Sequence, residues 1–138
     1  MDGPYNCYKA AQHFERLRSI QLGEIPYPIT VHVDLTNACS ADCPLCHNKR
    51  LESAGEFLRT NQLDPWEYVA EQIEDSQCLG VVLTGGGEPL DYPRDALGPF
   101  LAKLRFSGKR LGLETGGFKL KWLLNAVDLC DWVRISLD

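Results

Sequence analysis

Nowhere in the 138 residues is there an apolar stretch long enough to span a bilayer, or a run of Lys or Arg. The first absence argues against a membrane-spanning helix. The second, with a formal net charge of -5, argues against a surface built to neutralise phosphates. Direct binding to nucleic acid or membrane is therefore not expected, although a modified nucleotide stays open as a substrate. The opening MDGPYNCYKAAQ has neither a basic start nor an apolar core, so it does not read as a secretory signal, and a cytoplasmic location is expected. Low-complexity tracts and internal repeats are also missing. What is present, 44% hydrophobic and 24% charged residues, describes one soluble globular unit with enough apolar material for a core. Six cysteines in a reducing compartment stay as thiols, and clustered thiols bind metal or do chemistry. Three of the six lie between Cys39 and Cys46.

Residues 7–22 place Ala11, Phe14, Leu17 and Leu22 near one helical face, with Gly23 as a stop, which predicts a leading helix. Pro26 and Pro28 enforce an extended approach to a first strand. There Val31, Val33 and Leu35 alternate with His32, Asp34 and Thr36, in strand fashion. Asp64 as N-cap, Pro65 at the first helical position and Glu67 predict a helix running to about Gln77. Gly80 to Thr84 is short, apolar and β-branched, a buried strand opening into a glycine run. The rhythm repeats with a helix around Asp95 to Phe106 ending at Gly108, and then the strand Arg110 to Thr115. A helix with Leu120, Leu123, Leu124 and Val127 on one side follows, and then the strand Trp132 to Leu137.

Such alternation predicts an α/β fold of about four parallel strands, with functional residues in loops at the carboxyl ends of the strands. The cysteine loop, the GGGEP run, ETGG and the terminal SLD each follow a predicted strand, so all four fall on one edge. His47 to Asn61 is the one stretch expected to be mobile. Residues 1–28 read as an N-terminal helix and lead-in, and 29–138 as the core.

CSADCPLC sets Cys39, Cys43 and Cys46 in a Cys-x-x-x-Cys-x-x-Cys spacing within one loop. A structural zinc site closes with four ligands, commonly as two separated pairs, whereas a 4Fe-4S cluster held by three cysteines leaves one iron open. Gly85, Gly86 and Gly87 permit close backbone approach to a ligand, and Glu88 supplies an anionic acceptor for an ammonium group. The bland alternative for this run is a tight turn into Pro89. A phosphate loop fits poorly, because no Lys-Ser or Lys-Thr follows the glycines.

Together the cysteine spacing and Gly85-Gly86-Gly87-Glu88-Pro89 resemble the signatures of the radical S-adenosylmethionine (SAM) superfamily. The resemblance implies a 4Fe-4S cluster on Cys39, Cys43 and Cys46, with SAM chelating the fourth iron and Gly85, Gly86, Gly87 and Glu88 at its methionine amino group. It places Leu45 where the family often packs on adenine, although an apolar residue there could equally bury the cluster. Thr115 and Ser136, with Asp138, stand where similar proteins place polar groups near the SAM carboxylate or ribose. For Ser136, ribose contact and plain strand-end polarity both stand. The fold implied is a partial (β/α) barrel corresponding to the first two thirds of the family's core, with a leading N-terminal helix.

The chemistry implied is reductive cleavage of SAM to methionine and a 5′-deoxyadenosyl radical that abstracts hydrogen from substrate. The electron comes from an external one-electron donor of flavodoxin or ferredoxin type. CHN at Cys46 to Asn48 is reminiscent of activating enzymes, while VHVDLTNAC and VRISLD look more like members that modify peptides, proteins or cofactor precursors; both subgroups stay open. The family core resembles six β-α units and this chain supplies about four. A core cut short after its fourth strand is therefore expected, with an unpaired edge prone to self-association. The rival reading is a non-enzymatic iron-sulfur or zinc-binding α/β module for electron transfer or protein interaction, in which His47 could complete a zinc site. His13 and His32 lack a paired ligand pattern. Cys7, Cys78 and Cys130 read as isolated core or surface thiols, and Trp66, Trp122 and Trp132 as packing residues.

Overall fold

Strands buried on both faces carry unbroken apolar runs rather than alternation, and such runs are the mark of a parallel sheet covered by helices. Gly80–Thr84 is one of these. The computed structural model describes residues 9–49, 66–119, 121, 124 and 127–137. In it β1 (Thr30–Asp34), β2 (Gly80–Thr84), β3 (Arg110–Thr115) and β4 (Trp132–Ile135) form one sheet in the order β1-β2-β3-β4. All three pairings are parallel, and Asp34, Thr84 and the end of β3 lie level with one another. Spatial order thus follows chain order, as in a partial (β/α) barrel. β2 is buried from Gly80 to Leu83, while β1 leaves His32 and Asp34 exposed and β4 buries none of its residues fully.

Two helices cover one face of the sheet. α2 (Trp66–Asp75) buries Ala70 and Ile73, and α3 (Arg94–Phe106) buries Leu97, Phe100, Leu101 and Leu104. The latter spacing keeps four side chains on one stripe. Trp66 meets Phe100 edge to face at 6.5 Å, an arrangement aromatic rings favour. With Leu83, Leu111 and Leu113 these residues form the core, where each fully buried Leu or Phe contributes about 1.5–3 kcal/mol. Two residues beyond the end of α3 stands Gly108, whose φ of +81° suits a residue without Cβ. α2 stops at Asp75, two residues before the sequence-based boundary at Gln77. Beyond it the buried Lys109 donates to the carbonyls of Ser76 at 2.7 Å and Cys78 at 3.0 Å, satisfying backbone groups that would otherwise be orphaned.

The leading helix departs from expectation. Lys9–His13 is a 3-10 turn, and α1 covers only Phe14–Gln21. None of its residues is buried; Phe14 is 64% and Ile20 59% exposed. Periodicity marks the helix, and Leu17, Ile25 and Pro28 line a groove between it and the extended lead-in. Arg16 holds the helix in place by donating to Tyr27 O at 2.8 Å and Gln77 O at 2.6 Å. Leu124 and Val127, expected on one side of a helix, are exposed at 71% and 39%. The expectations at Cys7, Asp64, Pro65, Leu120, Trp122, Leu123 and Asp138 lie outside the described residues, as does the stretch 50–61 of the expected mobile loop; residues 47–49 are helical. No helix among the described residues is long and apolar enough to cross a membrane.

Cys78 is buried in the core, and Cys130 packs against it. Burial, reinforced by Asp131 and opposed by Arg105, pushes the Cys130 thiol up to about 11, so it stays protonated and unreactive. Asp131 itself ties β4 to β3. Its carboxylate accepts from Leu111 N at 2.8 Å, Arg105 at 2.7 Å and Arg110 at 2.6 Å. Burial alone would raise its pKa, but these donors prevail and hold it near 2 against an ordinary 3.8. A depressed carboxylate stabilises the fold above its unfolded value and loses that contribution as pH falls through the folded value. Urea unfolding of the wild type should therefore lose roughly 1–2 kcal/mol between pH 4 and pH 2 that Asp131→Asn does not lose; parallel pH profiles for the two proteins would refute this role.

Candidate functional site

Loops following parallel strands gather at one end of a sheet, and here that end encloses a cavity of about 720 Å³. Its wall carries Cys39, Cys43, Leu45 and Cys46 from the loop after β1, Gly85 to Pro89 from the loop after β2, Thr115 and Gly116 from the end of β3, and Ser136 and Leu137 after β4. Cys39, Cys43, Cys46, Leu45, Gly85, Gly86, Gly87, Glu88, Thr115 and Ser136, read from the sequence as candidates, all lie on this one wall, whereas His47 does not line it. The three thiols are free and partly exposed, and Leu45 is 79% exposed. The cysteine loop contains a turn in which Cys46 N donates to Cys43 O at 3.2 Å. Among the described residues no three Cys, His, Asp or Glu side chains stand close enough to grip a metal ion as they are.

The glycine loop is pressed against the start of the cysteine loop. A Cβ on Gly87 would lie 2.0 Å from Ala38 O and 2.7 Å from Asn37 C, both backbone atoms that cannot swing aside. Glu88 N donates to the same Ala38 O at 2.9 Å. At the other end of the cysteine loop, Asn48 Nδ2 donates to Gly86 O at 2.6 Å. The two loops are therefore joined both before the first cysteine and after the last.

Glu88 is 4% exposed, and its carboxylate makes its bonds inside the protein. Oε1 accepts from Leu90 N at 3.1 Å and Thr115 Oγ1 at 2.6 Å, and Oε2 from Gly116 N at 2.8 Å. Thr115 is 3% exposed, and its hydroxyl also accepts from Gly117 N at 3.0 Å. Both residues reach the cavity chiefly by fixing the shape of the loops that line it. Ser136 is exposed, its N donates to Thr115 O at 2.9 Å, and the residue lines the cavity.

Sequence reading missed Asn48, Glu114 and Arg134. Glu114 Oε2 accepts from Thr84 Oγ1 at 3.2 Å and Arg134 Nη2 at 2.9 Å, a polar row across β2, β3 and β4 at the cavity. The signal was available in strand register, since Glu114 pairs with Arg134, but register is not written in a single sequence. Gly87→Ala should destabilise the chain by about 3 kcal/mol or more by urea unfolding, because backbone must move. The nearest contact of a Cβ on Gly85 is 3.4 Å, so Gly85→Ala should cost less than about 1 kcal/mol; equal costs would overturn the close-approach argument.

Comparison with known proteins agrees with this geometry. A family model described as "Radical SAM superfamily" matches residues 33–138. A putative L-lysine 2,3-aminomutase of Aquifex aeolicus (strain VF5) is 33% identical over 88 residues, which are 60% of this chain and 23% of that protein. The chain thus spans about a quarter of that relative's length. Among solved structures, BtrN in complex with AdoMet and 2-DOIA superposes with a TM-score of 0.61 at 19% identity, covering 80% of this chain and 46% of that one. Streptococcus suis SuiB bound to precursor peptide SuiA superposes with a TM-score of 0.56 at 17% identity, covering 96% and 29%. SuiB bound to S-adenosylmethionine gives 0.58 at 18%, covering 96% and 30%. These structures share the fold, and because the family match takes in the cysteine loop, the glycine loop and the ends of β3 and β4, the chain belongs to the radical SAM superfamily.

Proposed function

We propose that this chain holds a 4Fe-4S cluster on Cys39, Cys43 and Cys46 and seats SAM between that loop and Gly85-Gly86-Gly87, as the radical-generating part of an enzyme that abstracts hydrogen from its substrate. The observation that carries the reading is the single cavity shared by the three thiols and the glycine loop. The donor set fits the cluster. Its thiols are soft donors suited to iron-sulfur chemistry, and the two carboxylates on the same wall, Glu88 and Glu114, are already engaged by protein donors. When bound, the cluster supplies the electron, received from a flavodoxin or ferredoxin type donor, that cleaves SAM and so initiates hydrogen abstraction.

The chain's own residues set the stage for that step. Glu88 and Thr115 hold the glycine loop at the end of β3, and Gly85 to Gly87 offer backbone to the methionine end of SAM at close range. Ser136 presents a hydroxyl for the ribose, and Leu45 an apolar surface for adenine. Support for SAM as ligand comes from BtrN and SuiB, whose structures hold AdoMet and S-adenosylmethionine. The precursor peptide on SuiB supports a peptide or protein as the substrate.

Anaerobic reconstitution with iron and sulfide, followed by electron paramagnetic resonance with and without SAM, tests the proposal. The expected result is about four irons per chain, a reduced-cluster signal that shifts on adding SAM, and loss of the iron in Cys39→Ala, Cys43→Ala and Cys46→Ala. A chain that refuses iron, or holds one zinc with no response to SAM, defeats it.

A further inference from the structure

Cys39 is tied to the neighbouring loop on both of its flanks. Ahead of it, Ala38 O accepts from Glu88 N at 2.9 Å. Behind it, Ser40 donates twice to one carboxylate, from N to Asp91 Oδ2 and from Oγ to Asp91 Oδ1, the latter at 3.1 Å. Asp91 closes the short 3-10 turn Pro89–Asp91 that follows the glycine loop. Its side chain is only 8% exposed and also pairs with Lys119, beyond the end of β3. Asp91 does not itself line the cavity. A buried carboxylate with one ammonium partner and two donors from a single residue is a directional anchor, since charge-assisted bonds are shorter and stronger than neutral ones.

We infer that Asp91 is a positioning residue for Cys39, clamping Ser40 so that the first thiol of the loop stands ready before any ligand arrives. The inference rests on the proposed reading of Cys39 as a cluster ligand. Its physical content is preorganisation: a loop already held on both sides of a donor loses less conformational entropy when that donor binds. Lys119 neutralises the carboxylate and joins the clamp to the strand end, so the loops after β1, β2 and β3 meet at one side chain.

The test uses the full chain in two states. Without metal, each cysteine is alkylated with iodoacetamide and the rates are read by peptide mass spectrometry. Asp91→Ala, which removes both Ser40 bonds to the carboxylate, should speed labelling of Cys39 by about tenfold or more and leave the core thiol Cys78 unchanged. Asp91→Asn, which keeps an acceptor for Ser40 N, should return Cys39 to within about threefold of wild type. After anaerobic reconstitution, Asp91→Ala should release iron to a chelator about tenfold faster. Unchanged Cys39 labelling overturns the inference, as does equal acceleration of Cys39 and Cys78, which would mean general loosening. A wild-type chain that takes up no iron defeats the proposed function, while the metal-free labelling still decides whether Asp91 clamps Cys39.

Discussion

Burying a carboxylate costs several kcal/mol unless donors replace the water it leaves, and Glu88 is nine-tenths or more removed from solvent. Its donors come from two places: Leu90 N in the turn just after the glycines, and Thr115 Oγ1 and Gly116 N at the end of β3. Those donors can meet one carboxylate only when the glycine loop folds onto β3. The same closure brings Gly87 against Asn37 and Ala38 and sets Glu88 N under Ala38 O. The cavity wall is thus a consequence of satisfying one buried charge, and the absence of a Cβ at Gly87 is what allows the last contact.

What could be read beforehand follows from how local the signal was. Gly80–Thr84 and Arg110–Thr115 are strands at the expected bounds because β-branched and leucine runs bounded by glycine or polar residues leave little alternative. The cysteine spacing and the glycines were legible because both chemistries depend on neighbours in sequence, and parallel topology then delivered them to one edge. α1 shows the limit. Its apolar period marks a helix correctly, but periodicity does not reveal which surface will meet it, and none of its residues is buried. Thr115 and Glu88 were read as facing a ligand, while their short mutual bond of 2.6 Å spans 27 positions of chain and leaves no trace in either segment alone. Asp91, Asn48 and Arg134 were invisible for the same reason, each acting through a partner 20 to 51 residues away.

Packing divides the molecule into a firm side and a lighter one. β2, β3, α2 and α3 share the core, with Leu83, Phe100, Leu104 and Leu111 fully buried. β1 and β4 contribute few buried residues, and β4 depends heavily on Asp131 and on the fit of Trp132 across Gly112. A Cβ on Gly112 would lie 2.2 Å from the Trp132 ring, so the indole can pack this closely against β3 only because its cross-strand partner has no side chain. The loops that line the cavity therefore hang from the best-packed strands at their centre, and from polar anchors at the margins.

Charge on the cavity wall bears on which ligand the site can take. Among the described residues the ionisable side chains there, apart from the thiols, are Glu88, Glu114 and Arg134, so this part of the wall carries one more carboxylate than guanidinium. Arg134 bonds to Glu114, whereas the donors to Glu88 are all neutral. Metal binding would add negative charge, because cysteines ligate as thiolates. A ligand entering such a site is favoured when it brings net positive charge, and SAM does so, with a sulfonium and an ammonium against one carboxylate. A phosphate-bearing ligand would meet repulsion from the same wall, which agrees with a glycine loop that has no Lys-Ser or Lys-Thr behind it.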